Sequence, residues 1–454
     1  MPTPTPNASG ETEPQETAAP GHHSTTVLGS RALESVAVEE PVAPQRPPST
    51  LATPRMLRAF RHRDFRLFWT GNFVSNTGTW MQNVAQGWLV LELSNSAFWL
   101  GVVGFAASAP MLVFTILGGV IADQVDRRRL LLRTQAAMMA IAFVLAALTY
   151  LQVINVPVIM LLAFVTGVAM SLNAPSYQAL VPQLVPREDL TNAIALNSAQ
   201  FNLSRVIGPT LGGFAMAWFG VAGNFFLNGV SFLAVLIALA RIRYPLPEAS
   251  QDSASLMQKL SDGFRYVFER REMLSLVTLV GLASILGFPY LIFMPMFARD
   301  ILHVGERGLG LLMAFSGLGA FLGATTIAYL GRIRRRGRFV VGAGVVFFLA
   351  VIGFAFSPWF LVSAALQLVA GFSMILMVAT VNSLLQHLSA EEMRGRVMGI
   401  YATAFLGFAP VGSLIAGSLA GVVSAPRAIA GMCALALLAS LTLYAMRPEL
   451  RRLD

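Results

Sequence analysis

Asn197-Ser198-Ala199-Gln200-Phe201-Asn202-Leu203-Ser204-Arg205-Val206-Ile207-Gly208-Pro209-Thr210-Leu211-Gly212-Gly213 sets one arginine and a Gly-Pro step in the middle of an apolar run. The run opens near Leu190, after Arg187-Glu188-Asp189, and reaches Trp218. As a helix rising about 1.5 Å per residue, it puts Arg205 roughly 20 Å from either end, near a bilayer midplane. An arginine at that depth costs several kcal/mol unless it faces a partner or a cavity. Two readings follow: Arg205 satisfies carbonyls loosened by Pro209, or it binds an anionic substrate or takes part in coupling. Pro209 lacks the N–H that would reach the carbonyl of Arg205, so a bend is expected there. Ser204, Gly208 and Gly212 recur every four residues as a small-residue stripe suited to close helix packing. Ser198, Asn202 and Arg205 form a neighbouring polar face.

Outward from this stretch, 454 residues with 55% hydrophobic and 12% charged side chains are too apolar for a soluble domain. The mean hydropathy is +0.65. The chain reads as a polytopic, all-α membrane protein in contact with the lipid bilayer. Its net charge of +9 does not point to nucleic acid, because the cations are placed asymmetrically. Only Arg299, Arg307 and Arg427 fall in the loops assigned outside, Arg205 lies within a span, and the other Lys and Arg lie in the tails and the alternate loops. This positive-inside pattern puts both termini in the cytoplasm of a cell-membrane protein. Cys433 is the single cysteine, so no disulfide framework or cysteine metal site is expected. Met1 to Gly10 has neither a charged start nor an apolar core, so no cleaved signal peptide is expected.

Residues 1–54 carry ten of the 24 prolines and read as a disordered cytoplasmic tail. Arg55 to Arg66 is a basic amphipathic lead-in suited to an anionic membrane surface. Apolar runs at 67–91, 99–121, 130–151, 155–176, 190–218 and 222–240 predict a six-helix bundle over 55–240. A cytoplasmic linker, 241–272, precedes runs at 273–297, 308–330, 339–357, 359–385, 396–420 and 426–446, a second bundle over 273–446. Residues 447–454 close the chain as a cytoplasmic tail. Trp99-Leu100-Gly101 matches Gly308-Leu309-Gly310, Ser75 matches Ser284 and Gly78 matches Gly287, all at one offset. Two six-helix repeats have the same orientation, with a pseudo-two-fold axis along the membrane normal.

The first span carries Asn72, Ser75, Asn76, Thr79, Asn83 and Gln86 at spacings of three and four. Unsatisfied amides in hydrocarbon cost a few kcal/mol each, so this stripe faces other helices or a cavity. Between the second and third spans, Gly119-Val-Ile-Ala-Asp123-Gln124-Val-Asp126-Arg127-Arg128-Arg129 reads as a tight cytoplasmic turn with an acidic helix end and a cationic cluster able to pair with it. The repeat-equivalent loop has Arg332 in place of Asp123.

Asp123…Arg127-Arg128 resembles the loop signature of the major facilitator superfamily, and Gly208-Pro209-x-x-Gly212-Gly213 is similar to its antiporter motif. Phe60-Arg-His-Arg-Asp64-Phe65-Arg66, Ser75-Asn76-x-Gly78-x-Trp80-Met81-Gln82 and Leu180-Val-Pro182-x-Leu-Val-Pro186-Arg-Glu-Asp189, followed by Asn192…Asn197, resemble the enterobactin-exporter-type branch. The resemblance covers about 58 to 446. It implies the major facilitator fold with 12 transmembrane helices in two bundles, and efflux by alternating access with protons as coupling ion. It assigns Gly119, Asp123, Arg127, Arg128, Gly208, Pro209, Gly212 and Gly213 to gating or conformational roles. Two departures stand out: Gln124 replaces the usual arginine, and no carboxylate lies inside the spans apart from Asp123, Glu92 and Asp300 near helix ends.

The expected substrate is a small molecule, siderophore-like or another anionic natural product. Multidrug efflux of lipophilic compounds and lysophospholipid transport are the alternatives. No cofactor is called for. The chain's one lysine, Lys259, has no glycine loop before it, which excludes an ATP-hydrolysing pump unless a partner supplies the hydrolysis. None of the five histidines falls in a span, which argues against a membrane-embedded enzyme. Gly287, Pro289 and Pro295 in the seventh span and Gly407, Pro410 and Gly412 in the eleventh are expected gate elements.

Overall fold

A computed structural model describes residues 55–124, 126–242, 256–330 and 335–453. The expected tail 1–54 lies outside the described residues, as do Arg332, the surroundings of Gly119 and the side chains of Asp123, Gln124 and Arg127. A seven-residue 3₁₀ segment, Arg55–Arg61, leads into α1 (Arg63–Ser94), α2 (Ala97–Gln124), α3 (Arg127–Tyr150), α4 (Val156–Leu180) and α5 (Leu190–Arg241). After α6 (Leu256–Glu269) come α7 (Arg271–Leu282), α8 (Met294–Met296), α9 (Gly305–Leu330), α10 (Arg336–Phe356), α11 (Phe360–Leu388), α12 (Arg394–Ala402), α13 (Ala409–Val423), α14 (Ala425–Met446) and α15 (Pro448–Arg452). Nine helices among the described residues are long and apolar enough to cross a bilayer. One of them is α5, which turns back at Gly220, so it supplies two of the predicted spans. The 32-residue α1 has the length but not the apolarity, because of its amide stripe. Over its described part, α2 adds a shorter apolar helix, Ala97–Met111. Twelve crossings are consistent with this arrangement.

Pro209 lies within helical backbone, and the chain breaks between the runs expected at 190–218 and 222–240, at Gly220, with φ 69° and ψ 177°. Only a residue without a Cβ adopts that conformation at little cost. Proline breaks do mark the second half. Between α7 and α9 the chain passes through a π-turn at Ala283–Gly287, a 3₁₀ segment at Phe288–Phe293 and a second π-turn at Phe297–Ile301. A further π-turn, Thr403–Gly407, separates α12 from α13. The stretch expected as a linker contains α6, tied to α12 by Arg396 and Asp262 at 3.0 Å. At the end of the chain, Leu450 is buried and the Gly337 N–H donates to the Leu453 carbonyl at 3.3 Å.

α1 packs on α5, α2 on α4 and α3 on α5; in the second set α9 packs on α11, α10 on α11 and α10 on α14. Two seams join the sets, α5 against α9 and α2 against α13. Glycines make both seams tight. A Cβ at Gly213 would stand 2.5 Å from the Glu306 carbonyl oxygen and 2.9 Å from Gly310 Cα. At the other seam a Cβ on Gly101 would stand 2.5 Å from the Ser413 carbonyl and 2.7 Å from Gly417 Cα. Both contacts sit toward the face away from the chain termini, where α2 and α9 begin. On that face Arg299, in the π-turn before α9, crosses to α1. It donates to the Leu91 carbonyl at 3.0 Å and to Asn95 Oδ1, while its Nε holds Asp300 at 2.6 Å. The Leu91 carbonyl already accepts the Asn95 N–H at 2.9 Å, and Arg299 adds a second, cationic donor at the C-terminal end of α1, where the helix dipole favours positive charge.

Candidate functional site

The small-residue stripe of α5 packs on α1. A Cβ on Gly208 would meet Trp80 Cβ at 2.5 Å, and one on Gly212 would meet Met81 Cα at 3.0 Å. Ser204 is fully buried, accepts from Thr77 Oγ1 at 3.3 Å and donates to the Phe73 carbonyl at 3.3 Å. Gly213, one position off the stripe, faces α9 instead. The carbonyl of Arg205 that Pro209 leaves free lies 3.3 Å from where a Cβ on Gly317 of α9 would stand.

With α1 and α5 held this close, their polar faces border a cavity of about 600 Å³. Asn72, Ser75, Asn76, Thr79, Ser198 and Asn202, all read from the sequence, are part of its lining. The cavity occupies the half of this bundle nearest the turn Val181–Asp189. Asn83 and Gln86, further along α1, line a second cavity of about 380 Å³ between α1, α2, the irregular segment after α7 and α13. The polar stripe of α1 is thus divided between two cavities.

Arg205 lines neither of these cavities. It is half-buried, with its guanidinium carbon 5.9 Å from the centre of the Trp80 ring. Trp80 borders the second cavity and Phe201 the first, and their rings meet edge to face with centroids 6.2 Å apart. These two rings partition the cavities, and Arg205 stands against one of them. Across the seam its electrostatic neighbour is Tyr290, whose hydroxyl is 3.4 Å from Ser316 Oγ.

The sequence reading missed Gln135 on α3, and Asn173, Tyr177 and Gln178 on α4, all of which line the first cavity with Asn197. The signal was present: Thr134-Gln135 interrupts the apolar run of α3, and Asn173 and Tyr177 stand one helical turn apart on α4. Asn173 Nδ2 donates to Thr134 Oγ1 at 3.0 Å, joining the two helices behind the cavity. Met138, Met170, Phe201 and Phe232 supply apolar wall. Tyr177 is the one titratable residue in the lining, and no Asp, Glu, Lys, Arg or His is present.

Of the residues given gating roles in the loop between α2 and α3, Arg128 has a described side chain. Its Nε and Nη2 donate to the carbonyls of Leu239 and Ala240, both at 2.7 Å, capping the end of α5. Asp126 caps α3 by accepting from the Arg128 and Arg129 N–H groups. The lead-in is fastened to the start of α5: His62 pairs with Asp189 at 2.9 Å, and the Ala59 N–H donates to Asn192 Oδ1 at 2.9 Å. Glu92 accepts the Trp88 indole N–H at 2.8 Å.

The sequence model of a family described as transmembrane secretion effector matches residues 55–454. The chain is 25% identical to the staphyloferrin A transporter of Staphylococcus aureus, over 77% of this chain and 88% of that protein. It is 26% identical to the multidrug efflux pump Tap of Mycolicibacterium fortuitum, over 76% and 86%. It is 27% identical to the enterobactin exporter EntS of Citrobacter koseri, over 86% and 93%. Among solved structures it superposes on the nucleoside transporter NupG with a TM-score of 0.64 at 13% identity, covering 84% of this chain and 98% of that one. A bacterial homolog of the human lysosomal transporter Spinster, inward-facing and unoccupied, gives 0.63 at 14% identity, covering 88% and 97%. These two likenesses show the major facilitator fold.

Proposed function

Because the chain belongs to the transmembrane secretion effector family of major facilitator transporters, we propose that it exports a small natural product across the cell membrane, with the 600 Å³ cavity as its substrate site. The observation that carries this is the pairing of an amide-lined cavity near one face with glycine seams that close the other face. In this reading the cavity is reached from the face near Val181–Asp189 and the glycine seams close the opposite face, one of the two states that alternating access requires. The asymmetric arginines place the face bearing the termini in the cytoplasm, so this state loads from inside. Export follows the names of the relatives, two of which are an enterobactin exporter and a multidrug efflux pump. Siderophore-like compounds are therefore the leading substrates and lipophilic drugs the alternative, the latter favoured by Met138, Met170, Phe201 and Phe232 in the wall.

The coupling ion is proposed to be the proton, on the strength of the resemblance to antiporters. Gly208, Pro209, Gly212 and Gly213 act in this account as the close-packed hinge between α1 and α9, and Arg205 as the cation behind the partition. The test is proton flux in inside-out vesicles, read with a pH-sensitive dye on adding a catechol siderophore or a lipophilic cationic dye. Proton release triggered by either class is the expected result. If neither class triggers it while a facilitated, proton-independent flux appears, the coupling is refuted.

A further inference from the structure

The helix α6, between the two bundles, turns four different faces outward, because residues four apart share a side of a helix and neighbours stand about 100° apart. Gly263 and Val267 face the protein: Val267 is buried, and a Cβ on Gly263 would stand 3.1 Å from Arg396 Cβ and 3.4 Å from Ile400 Cδ1. Phe264 and Phe268 come next, 42% and 62% exposed, with ring centroids 6.3 Å apart. Arg265 and Glu269 follow, both exposed and paired at 2.8 Å. Tyr266 completes the turn. Its ring carries the Arg270 guanidinium carbon 3.6 Å from the centre, and its hydroxyl accepts the Ala390 N–H at 3.1 Å. Three faces are thus paired within the protein or suited to water, and the phenylalanine face is neither.

The depth of α6 follows from its neighbours. Two residues past its end, Arg271 opens one membrane span, and Arg394 at the start of α12 opens another. Gly263 lies beside Arg396 and Ile400, in the first and second turns of that span. Arginines at the start of an apolar span sit among the headgroups, and a residue four further in lies about 6 Å deeper, where the acyl chains begin. At that depth the surroundings of an uncovered side chain are lipid, and an exposed pair of aromatic rings one turn apart is what a helix lying in the interface buries there.

We propose that α6 is an interfacial helix whose Phe264 and Phe268 insert into the leaflet on the side bearing the termini, at the boundary between headgroups and acyl chains. Its partner is the bilayer surface itself. Through Asp262, which holds Arg396 at 3.0 Å, α6 fastens the membrane-entry turn of α12 to that surface.

The test is spin-label accessibility in the full-length protein, in nanodiscs of phosphatidylcholine and phosphatidylglycerol. Phe264→Cys, Phe268→Cys, Arg265→Cys and Leu438→Cys are each made and labelled in a Cys433→Ser background; Leu438, 63% exposed within α14, is the lipid-facing reference. Collisions with oxygen, which concentrates among acyl chains, are compared with collisions with a water-soluble nickel chelate. The expected oxygen-to-nickel ratio for Phe264→Cys and Phe268→Cys is several-fold above that for Arg265→Cys and approaches that for Leu438→Cys. Ratios no higher than for Arg265→Cys put the phenylalanine face in water and overturn the proposal. Labels on that face reached by neither reagent mean that protein covers it, a second copy or another part of this chain, and overturn it equally. The two phenylalanines are probed separately, so either variant refutes the proposal if the other fails to fold.

Discussion

A valine at Gly213 should hold the face away from the termini open. The first atom it adds would stand 2.5 Å from the Glu306 carbonyl oxygen and 2.9 Å from Gly310 Cα, where ordinary contact is 3.4–4 Å. Both obstacles are backbone, so relief requires α5 and α9 to separate by roughly 1 Å rather than a side chain to turn, and overpacking of this kind costs about 1–3 kcal/mol. That cost falls on the closed seam alone, so it shifts the balance toward the opened state by roughly fivefold to 150-fold. The chain's single cysteine is buried, which makes Cys433→Ser a clean background. Gln86→Cys then places a reporter in the second cavity, behind the seams. A membrane-impermeant thiol reagent applied to the face away from the termini should label Gln86→Cys at least fivefold faster with Gly213→Val present. Gly431→Val, where an added Cβ meets nothing within 4 Å, serves as control and should leave the rate unchanged. An unchanged rate in Gly213→Val, in protein that is folded and inserted, would refute the reasoning that the glycine seam seals this face.

Three further outcomes follow. Arg299→Gln loses the bonds to the Leu91 carbonyl and Asn95 on the same face, and should speed Gln86→Cys labelling by a few fold, read as a pseudo-first-order rate with the reagent in excess. Gly220→Ala forces a Cβ onto φ 69° and should cost about 1–2 kcal/mol, read as a lowered thermal midpoint in detergent without a change in ligand binding. Glu92→Gln should leave substrate-triggered proton release intact, because Glu92 is held by the Trp88 indole and lies in neither cavity lining; loss of the proton signal would make Glu92 the proton carrier.

Local periodicity made the helices legible. The six polar residues of α1 at spacings of three and four pointed to a buried or wet face, and all six line one of two cavities. The small-residue stripe of α5 pointed to close packing, and its partner is α1. What single-helix patterns could not supply is which helices meet. Gln135 and Asn173 are lone polar residues in apolar runs, and only the packing of α3 on α4 turns them into a shared wall. The split of the α1 stripe was equally hidden, since it depends on Trp80 and Phe201 meeting across two helices. Arg205 was conspicuous by depth and charge, but depth says nothing of direction, and its guanidinium turns to Trp80. The break in α5 was legible in the runs 190–218 and 222–240, and Gly220 between them supplies the one positive φ in that helix.

One thiol in the wall of the amide-lined cavity tests whether that cavity is the transport site. Asn173→Cys in the Cys433→Ser background puts one thiol in its wall. Modification by a methanethiosulfonate reagent in inside-out vesicles should abolish the proton release triggered by a catechol siderophore or a lipophilic cationic dye, and the triggering compound should slow the modification. Full proton release after complete modification, with no protection by the triggering compound, would contradict the account.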